Sequence, residues 1–593
     1  MFWGSNVGNE GPKSNGLRTP GDARRIGRAA AGLLMTSLSW SAVLWLPLGG
    51  LALALPQTDE ADPPGPAVQE SSSCALCHSN APRASAMRDA AGREIAPYDL
   101  WRGTMMANAA RDPLWRAAMS AEIAATPSRR AEIEQKCLGC HAPMAARVGL
   151  EEHDTGSLAH ALDCDAQLGD LARDGVSCTI CHGMSPEGLG TDASYTAGFH
   201  LDPERRLFGP HEGPFAMPMR MHTGFTPTHG EHVAESALCA SCHTLETEAL
   251  AANGDAAGAR LLEQAPYLEW RNSDFRDEGP DPGPLAASCQ DCHVPTADED
   301  GEPIRTRIAR NPGGRDFPPT SAREPVGRHR FVGGNTLVLS MLADRGEELG
   351  VEAPPEAVRA TLAATREQLR EAAARVAIEN VRRDRQGLSF DVRVENLTGH
   401  KLPTGHPMRR AWLRVVVRDA SGAVLFASGE TDSRGRIVGA AGRPLASELA
   451  DGPIEPHRNV VRGAGEVAIY GAVLADASGT ATHTLLRGAT WLVDDRLLPR
   501  GWSREHPDGA RTAPVGVEGD DDFGAGGDRV RYEVDAVPAG AFTIEAELLY
   551  QPLGARWAAE LLRGETPEIE TFRRMYEEAE RSAEVLASDR WRE

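Results

Sequence analysis

Cys74-Ala-Leu-Cys77-His78 is the first of five copies of one pattern. The others are Cys137-Leu-Gly-Cys140-His141, Cys178-Thr-Ile-Cys181-His182, Cys239-Ala-Ser-Cys242-His243 and Cys289-Gln-Asp-Cys292-His293. Cys-x-x-Cys-His is the spacing that attaches c-type haem: two thiols bond to one porphyrin, and the adjoining histidine is held beneath the iron. Ten of the 11 cysteines fall in these motifs, and with 18 histidines in 593 residues five chance matches are not credible. A four-cysteine zinc site would not need the histidine. Structural disulfides would not repeat one two-residue gap. The reading is therefore five haem c groups, with Cys164 left over as a spare thiol without a role.

The flanks set the domain plan. Residues 29–58 carry no charge, follow Arg24, Arg25 and Arg28, and are mostly apolar to Leu55. Segment 1–55 reads as an export signal with a small-residue cleavage site at Ala52-Leu-Ala54. A retained membrane anchor is the alternative, because the stretch is long enough to span. Pro47, Gly49 and Gly50 would interrupt such a helix. Arg24-Arg25 is only a faint hint of twin-arginine export. Export places the protein in the periplasm or at the outer cell surface, where c-type haem is attached. Residues 56–72 are acidic and Pro-rich, a linker.

Region 73–345 carries the motifs, whose starts lie 63, 41, 61 and 50 residues apart. So little protein per porphyrin predicts short helices and loops, with few strands. Pro and Gly clusters at 278–284 and 311–319 agree with loops. Pro354 and Pro355 open a connecting helix within 346–375, with Val358, Leu362, Thr365, Leu369, Ala372 and Val376 on one face. From 376 the period changes to two. Leu388, Phe390, Val392 and Val394 alternate with polar residues, as do Val530, Tyr532 and Val534, then Phe542, Ile544, Ala546, Leu548 and Tyr550. Asp419-Ala-Ser-Gly422 reads as a hairpin turn. These strands predict an all-β sandwich over 376–552. The end, 553–593, reads as helical: Thr566-Pro567 starts a stripe of Ile569, Phe572, Met575, Ala579, Ala583 and Leu586, expected to dock on the sandwich. The fold class is thus multidomain: a helix-and-loop multihaem domain, a β-sandwich and a C-terminal helix.

The net charge of −23 argues against nucleic-acid binding. It suits solubility, and would also suit a basic redox partner protein.

The sixth iron ligands decide between carrier and catalyst: two strong axial ligands make an electron carrier, an open position binds a small molecule. Thirteen histidines lie outside the motifs (18 less 5). His153, His160, His200, His211, His222, His229, His232 and His329 lie among or just after them. His232 stands seven residues before Cys239, and His329 lies in a Gly-rich segment. His400 lies in the constrained loop Asn396-Leu-Thr-Gly-His-Lys-Leu-Pro-Thr-Gly405. Met105, Met106, Met144, Met217, Met219 and Met221 are weaker candidates, since methionine usually packs.

The segments Tyr98-Asp-Leu-Trp-Arg-Gly-Thr-Met-Met-Ala-Asn-Ala-Ala-Arg-Asp-Pro113, Cys137–Met144, Asp174–His182, the His329 segment and Gly399–Leu413 together resemble multihaem c-type cytochromes. The haem region of that group is related to the tetrahaem cytochromes of nitrifying bacteria. The resemblance implies low-potential electron transfer outside the cytoplasm, and it raises His232, His329 and His400 as distal ligands. It does not name a partner.

The leading expectation is an electron-transfer protein. The alternatives are a multihaem oxidoreductase with one open haem, acting on a nitrogen or sulfur compound, and a gas or redox sensor. Pentahaem nitrite reductases compare in haem count alone, because their active haem uses a lysine variant of the motif, and all five motifs here end in histidine. The hydroxylamine-oxidising type would need more haems. The acidic, Gly-rich stretch Glu518–Asp528 has a composition that would suit a calcium loop, but it lacks regular ligand alternation and reads as a solvated loop. Arg409-Arg410 is expected to pair with nearby acids.

Overall fold

In a computed structural model of the chain, residues 68–151, 167–535 and 539–593 are described. The expected export signal or anchor, most of the linker, Cys164, His153 and His160 lie outside them. Among the described residues no helix is long and apolar enough to cross a membrane.

Short helices and loops make up the region of the motifs. Each motif closes or forms a helix: Ser71–His78, Arg130–His141, Cys178–Gly183, Ser236–His243 and Cys289–His293. Local chemistry starts several of the helices. Asp112 accepts from the Leu114 and Trp115 amides to cap Pro113–Ala125, with proline in the first turn. Ser288 and Asp291 form a reciprocal capping box on the fifth motif. Strand is sparse: β1 (Arg206–Gly209) pairs parallel with β2 (Thr226–His229), and β3 (Leu245–Leu250) antiparallel with β4 (Ala256–Gln264).

The helix Pro355–Ala372 then buries Val358, Thr361, Thr365 and Leu369. Two members of the expected stripe depart from it. Ala372 is exposed, and Val376 lies in a strand, because the chain passes directly from the helix into β5 (Ala374–Arg383).

Strands β6 (Gly387–Asn396), β7 (Arg410–Asp419) and β8 (Val424–Ser428) follow, with β7 and β8 flanking the Asp419–Gly422 turn as expected. Next come β9 (Val460–Val461), β10 (Ile469–Tyr470), β11 (Ala472–Ala475), β12 (Ala481–Thr482), β13 (Thr490–Asp494), β14 (Gly527–Asp535) and β15 (Phe542–Gln551). A last strand, β16 (Glu584–Arg592), ends the chain.

One sheet has the order β5-β6-β14-β9. A second runs β10-β7-β15-β16 with β8 also on β7, and a small third runs β12-β11-β13. The first two sheets share one hydrophobic core. Leu388, Phe390, Val392 and Val394 of β6, Val530, Tyr532 and Val534 of β14, and Leu413, Val415 and Val417 of β7 meet Ile544, Ala546 and Leu548 of β15 there. Period two explains the other face of β7: Trp412 points into a separate cluster with Ile437, Leu445 and Val467.

The C-terminus corrects the expected all-helical tail. Ala555–Leu561 and Pro567–Glu578 are helical, Thr566 capping the second. Ala579 then takes an extended conformation, and β16 pairs antiparallel with β15. Leu586, fully buried, therefore belongs to the core between the sheets. The edge of β15 offers a ladder of backbone hydrogen bonds, and an exposed edge is a liability that β16 covers. The helical part of the stripe docks elsewhere than expected. Ile569, Phe572 and Met575 pack with Leu114, Ala117, Leu337 and Met341, on helices of the motif region.

Candidate functional site

None of the ten motif cysteines is in a disulfide. Four of the five motif histidines share one arrangement. Nδ1 of His78 lies 2.9 Å from the Ile308 carbonyl, that of His141 3.3 Å from Ala109, that of His182 2.6 Å from Phe208, and that of His293 2.7 Å from Val332. A carbonyl only accepts, so Nδ1 carries the proton and Nε2 keeps its lone pair. This is the arrangement that fixes a metal-binding imidazole. Burial lowers the pKa of all five motif histidines, His141 and His243 to about 4, so they are neutral at neutral pH. Trp115 stacks on His141 with centroids 4.4 Å apart.

The motifs are interlocked. Ser71, three residues before Cys74, accepts the Cys178 amide at 3.2 Å, and Ser236, three before Cys239, accepts the Cys289 amide at 2.9 Å. Both serines are fully buried. The serine clamps thus tie motif one to three and motif four to five. Cys137 and Leu138 of motif two, Ile180 and Cys181 of motif three, and Leu238 and Cys242 of motif four pack in one apolar cluster.

The distal candidates fall into groups. His329 faces His182, ring centroids 6.3 Å apart and planes 27° from parallel. Two imidazoles sharing one iron, each bonded at about 2 Å, have centroids roughly 6 Å apart. His329 donates from Nδ1 to Gly327 O at 3.2 Å, so its Nε2 is also free, and burial lowers its pKa to about 4. These residues fit a haem iron.

His400 is half-buried in the loop between β6 and β7, its Nδ1 2.9 Å from the Lys401 carbonyl, and desolvation, with the charge of His293 acting the same way, lowers its pKa. His232 is buried edge-on to Phe208, with Nε2 3.0 Å from the Met184 carbonyl, which leaves Nδ1 as its lone-pair nitrogen. His200 and His222 are exposed, His211 and His229 half-buried. Met144 is fully buried and accepts from the Thr179 hydroxyl. Met105, Met106 and Met219 pack against apolar clusters, and Met217 and Met221 are exposed.

The His400 loop is clamped by charges. Glu269, 1% exposed, accepts from the Lys401 amide at 3.0 Å and the Thr404 hydroxyl at 2.6 Å. Lys401 Nζ lies 2.6 Å from Asp494, which Arg496 also grips. Burial would raise Asp494, but Arg496 and Lys401 outweigh it and hold its carboxyl below the usual range. Arg410 forms the expected acid pair, with Glu448.

Sequence reasoning missed the two serine clamps, the Glu269 clamp, Trp115 and His406. The shared position of Ser71 and Ser236, three residues before a motif, was the available signal. His406 is half-buried, and its Nδ1 accepts the Met408 amide at 3.1 Å. That polarity puts the proton on Nε2, the reverse of the motif histidines.

Residues 73–183 match the family described as Cytochrome c554 and c-prime. The match covers the first three motifs and supports a multihaem c-type cytochrome. No curated protein matches the chain. Among solved structures, a penta-heme cytochrome c552 from Thermochromatium tepidum aligns at 16% identity and a TM-score of 0.44, covering 88% of this chain and 99% of that one.

Proposed function

We propose that the chain is an electron-transfer protein holding five haem c groups, one at each motif. Haem iron supplies a one-electron couple when bound. The chain supplies the rest. Cysteine pairs fix each group covalently, and backbone carbonyls orient four of the motif histidines. His182 and His329 would together hold the iron at the third motif. His400 serves the fifth site and His232 another, through Nδ1. The observation that carries the reading is the contact between motifs: two, three and four share one apolar cluster, with one clamped to three and five to four. This contact supports a connected set of five sites.

In this reading 73–345 is the haem domain, 346–375 its connector and 376–552 a β-sandwich that clamps the His400 loop. Segment 1–55 directs export to the periplasm or cell surface, or anchors the protein there. The acidic chain suits a basic redox partner protein.

A reductive titration with haem counted tests this. We expect five one-electron equivalents per chain. We also expect reoxidation by acceptor proteins, without turnover of nitrite, hydroxylamine or sulfite. Turnover of one of these would move the protein to the oxidoreductase reading.

A further inference from the structure

The acidic loop 518–528 is only partly the solvated loop its composition implies: Glu518, Asp521 and Asp522 are exposed, but Asp520 and Asp528 turn inward. Asp520 meets His457: Nε2 of the imidazole lies 3.1 Å from Asp520 Oδ2, and Nδ1 3.1 Å from Asp495 Oδ2. The three side chains are 7% (His457), 2% (Asp520) and 4% (Asp495) exposed. Asp528, buried at the start of β14, accepts from the Tyr470 hydroxyl at 2.7 Å. One ligand atom each of His457, Asp520 and Asp528 lies within 4.8 Å of the other two.

Two features separate this cluster from a chance gathering of acids. Asp495 is itself anchored, accepting the Gly471 amide at 2.9 Å through its other oxygen. A fixed carboxylate on Nδ1, with Nε2 turned to further carboxylates, is the outer support of a metal-binding imidazole. The charges also do not balance. Asp495, Asp520 and Asp528 surround one imidazole, with Asp522 beside them. Arg529 is shared between Asp522 and Glu379. Buried carboxylates need paired cations.

A separate observation comes from Tyr532. It is fully buried, sits on the inward face of β14 that also carries Asp528, and its hydroxyl has no hydrogen-bond partner. Burial and the Asp528 charge both raise its pKa. A buried polar group without a partner calls for a bound water or ion.

We propose that His457 Nε2, Asp520 and Asp528 bind one divalent transition-metal cation of the zinc class, with Asp495 holding the imidazole. One nitrogen and two carboxylates suit such an ion. Calcium takes about 6–8 oxygens, which this set does not offer. Binding displaces the proton between His457 and Asp520 to solvent. The ion ties loop 518–526 to the segments before β9 and after β13. The site is independent of the haem motifs.

The test uses the full haem-loaded chain, stripped with chelator, loaded with zinc alone and gel-filtered, with zinc counted per chain. We expect one equivalent in the wild type and a rise in Tm on loading. Both should be lost in His457→Gln and Asp520→Asn, with haem content and visible spectrum unchanged. Should His457→Gln fail to fold, Asp520→Asn, which keeps the side-chain size, decides. No retained zinc in the wild type, or equal zinc in Asp520→Asn, overturns the site. Retention of calcium but not zinc overturns the metal class.

Discussion

In the proposed reading His329 is a distal ligand at the third motif. Replacing it with alanine removes one imidazole of the pair with His182 and leaves the covalent attachment intact. The expected result is one haem converted from low to high spin, read by electron paramagnetic resonance, with the others unchanged. An unchanged spectrum would show that His329 does not ligate. Glu122 gives a pH prediction. It accepts the Leu485 and Leu486 amides from a buried position, and burial raises its pKa to about 8, from 4.5. The folded state therefore holds this proton more tightly than the unfolded chain. The stability it contributes is complete below pH about 4.5 and is lost as pH rises through about 8. Glu122→Gln should flatten that decline in a thermal-melt series; an equally steep decline would rule out Glu122 as its source. At this scale the five motifs were legible, because a motif is local. The groups that orient them were not. Ile308 lies 230 residues from His78, and Phe208 26 from His182. Only the fold brings them together.

Strands announce themselves by alternation, and β6, β14 and β15 followed theirs. The chain end did not. Ile569, Phe572 and Met575 recur at helical spacing, and Ala579, Ala583 and Leu586 continue it by coincidence. The same residues from 584 onward also fit period two, and pairing with β15 decided between the periods. Leu586→Ala leaves a cavity between the sheets and should cost about 2–5 kcal/mol in denaturant unfolding. A cost below about 0.5 kcal/mol, the usual bound for surface changes, would place Leu586 outside the core. The serine clamps are an element-level device repeated in two motif pairs. Ser236→Ala strips the buried acceptor from the Cys289 amide and should cost about 1–3 kcal/mol. Ser71→Ala should cost as much, and more if Asp174 loses its bond too. No loss in either variant would show that these contacts do not hold the motif pairs.

Across the whole molecule, the β-sheets and the motif region are built into each other. Glu269 of the motif region clamps the His400 loop, and Arg271 grips Asp508. The C-terminal helix packs on helices of the motif region, while the strand after it closes a sheet. The alternation of composition made two regions legible in the sequence, but not the interlocking, which depends on buried charge pairs far apart in the chain. The contacts of the motifs in space, one with three, four with five, and two, three and four together, were equally illegible, since a motif carries no mark of its neighbours. A series of filled sites is what an electron carrier needs, and one open site is what a catalyst needs. The most direct measurement is an electron paramagnetic resonance spectrum of the oxidised protein, with haem quantified alongside. The account predicts five low-spin irons per chain and no high-spin signal. A stoichiometric high-spin iron that shifts on adding nitrite, hydroxylamine or sulfite would contradict it.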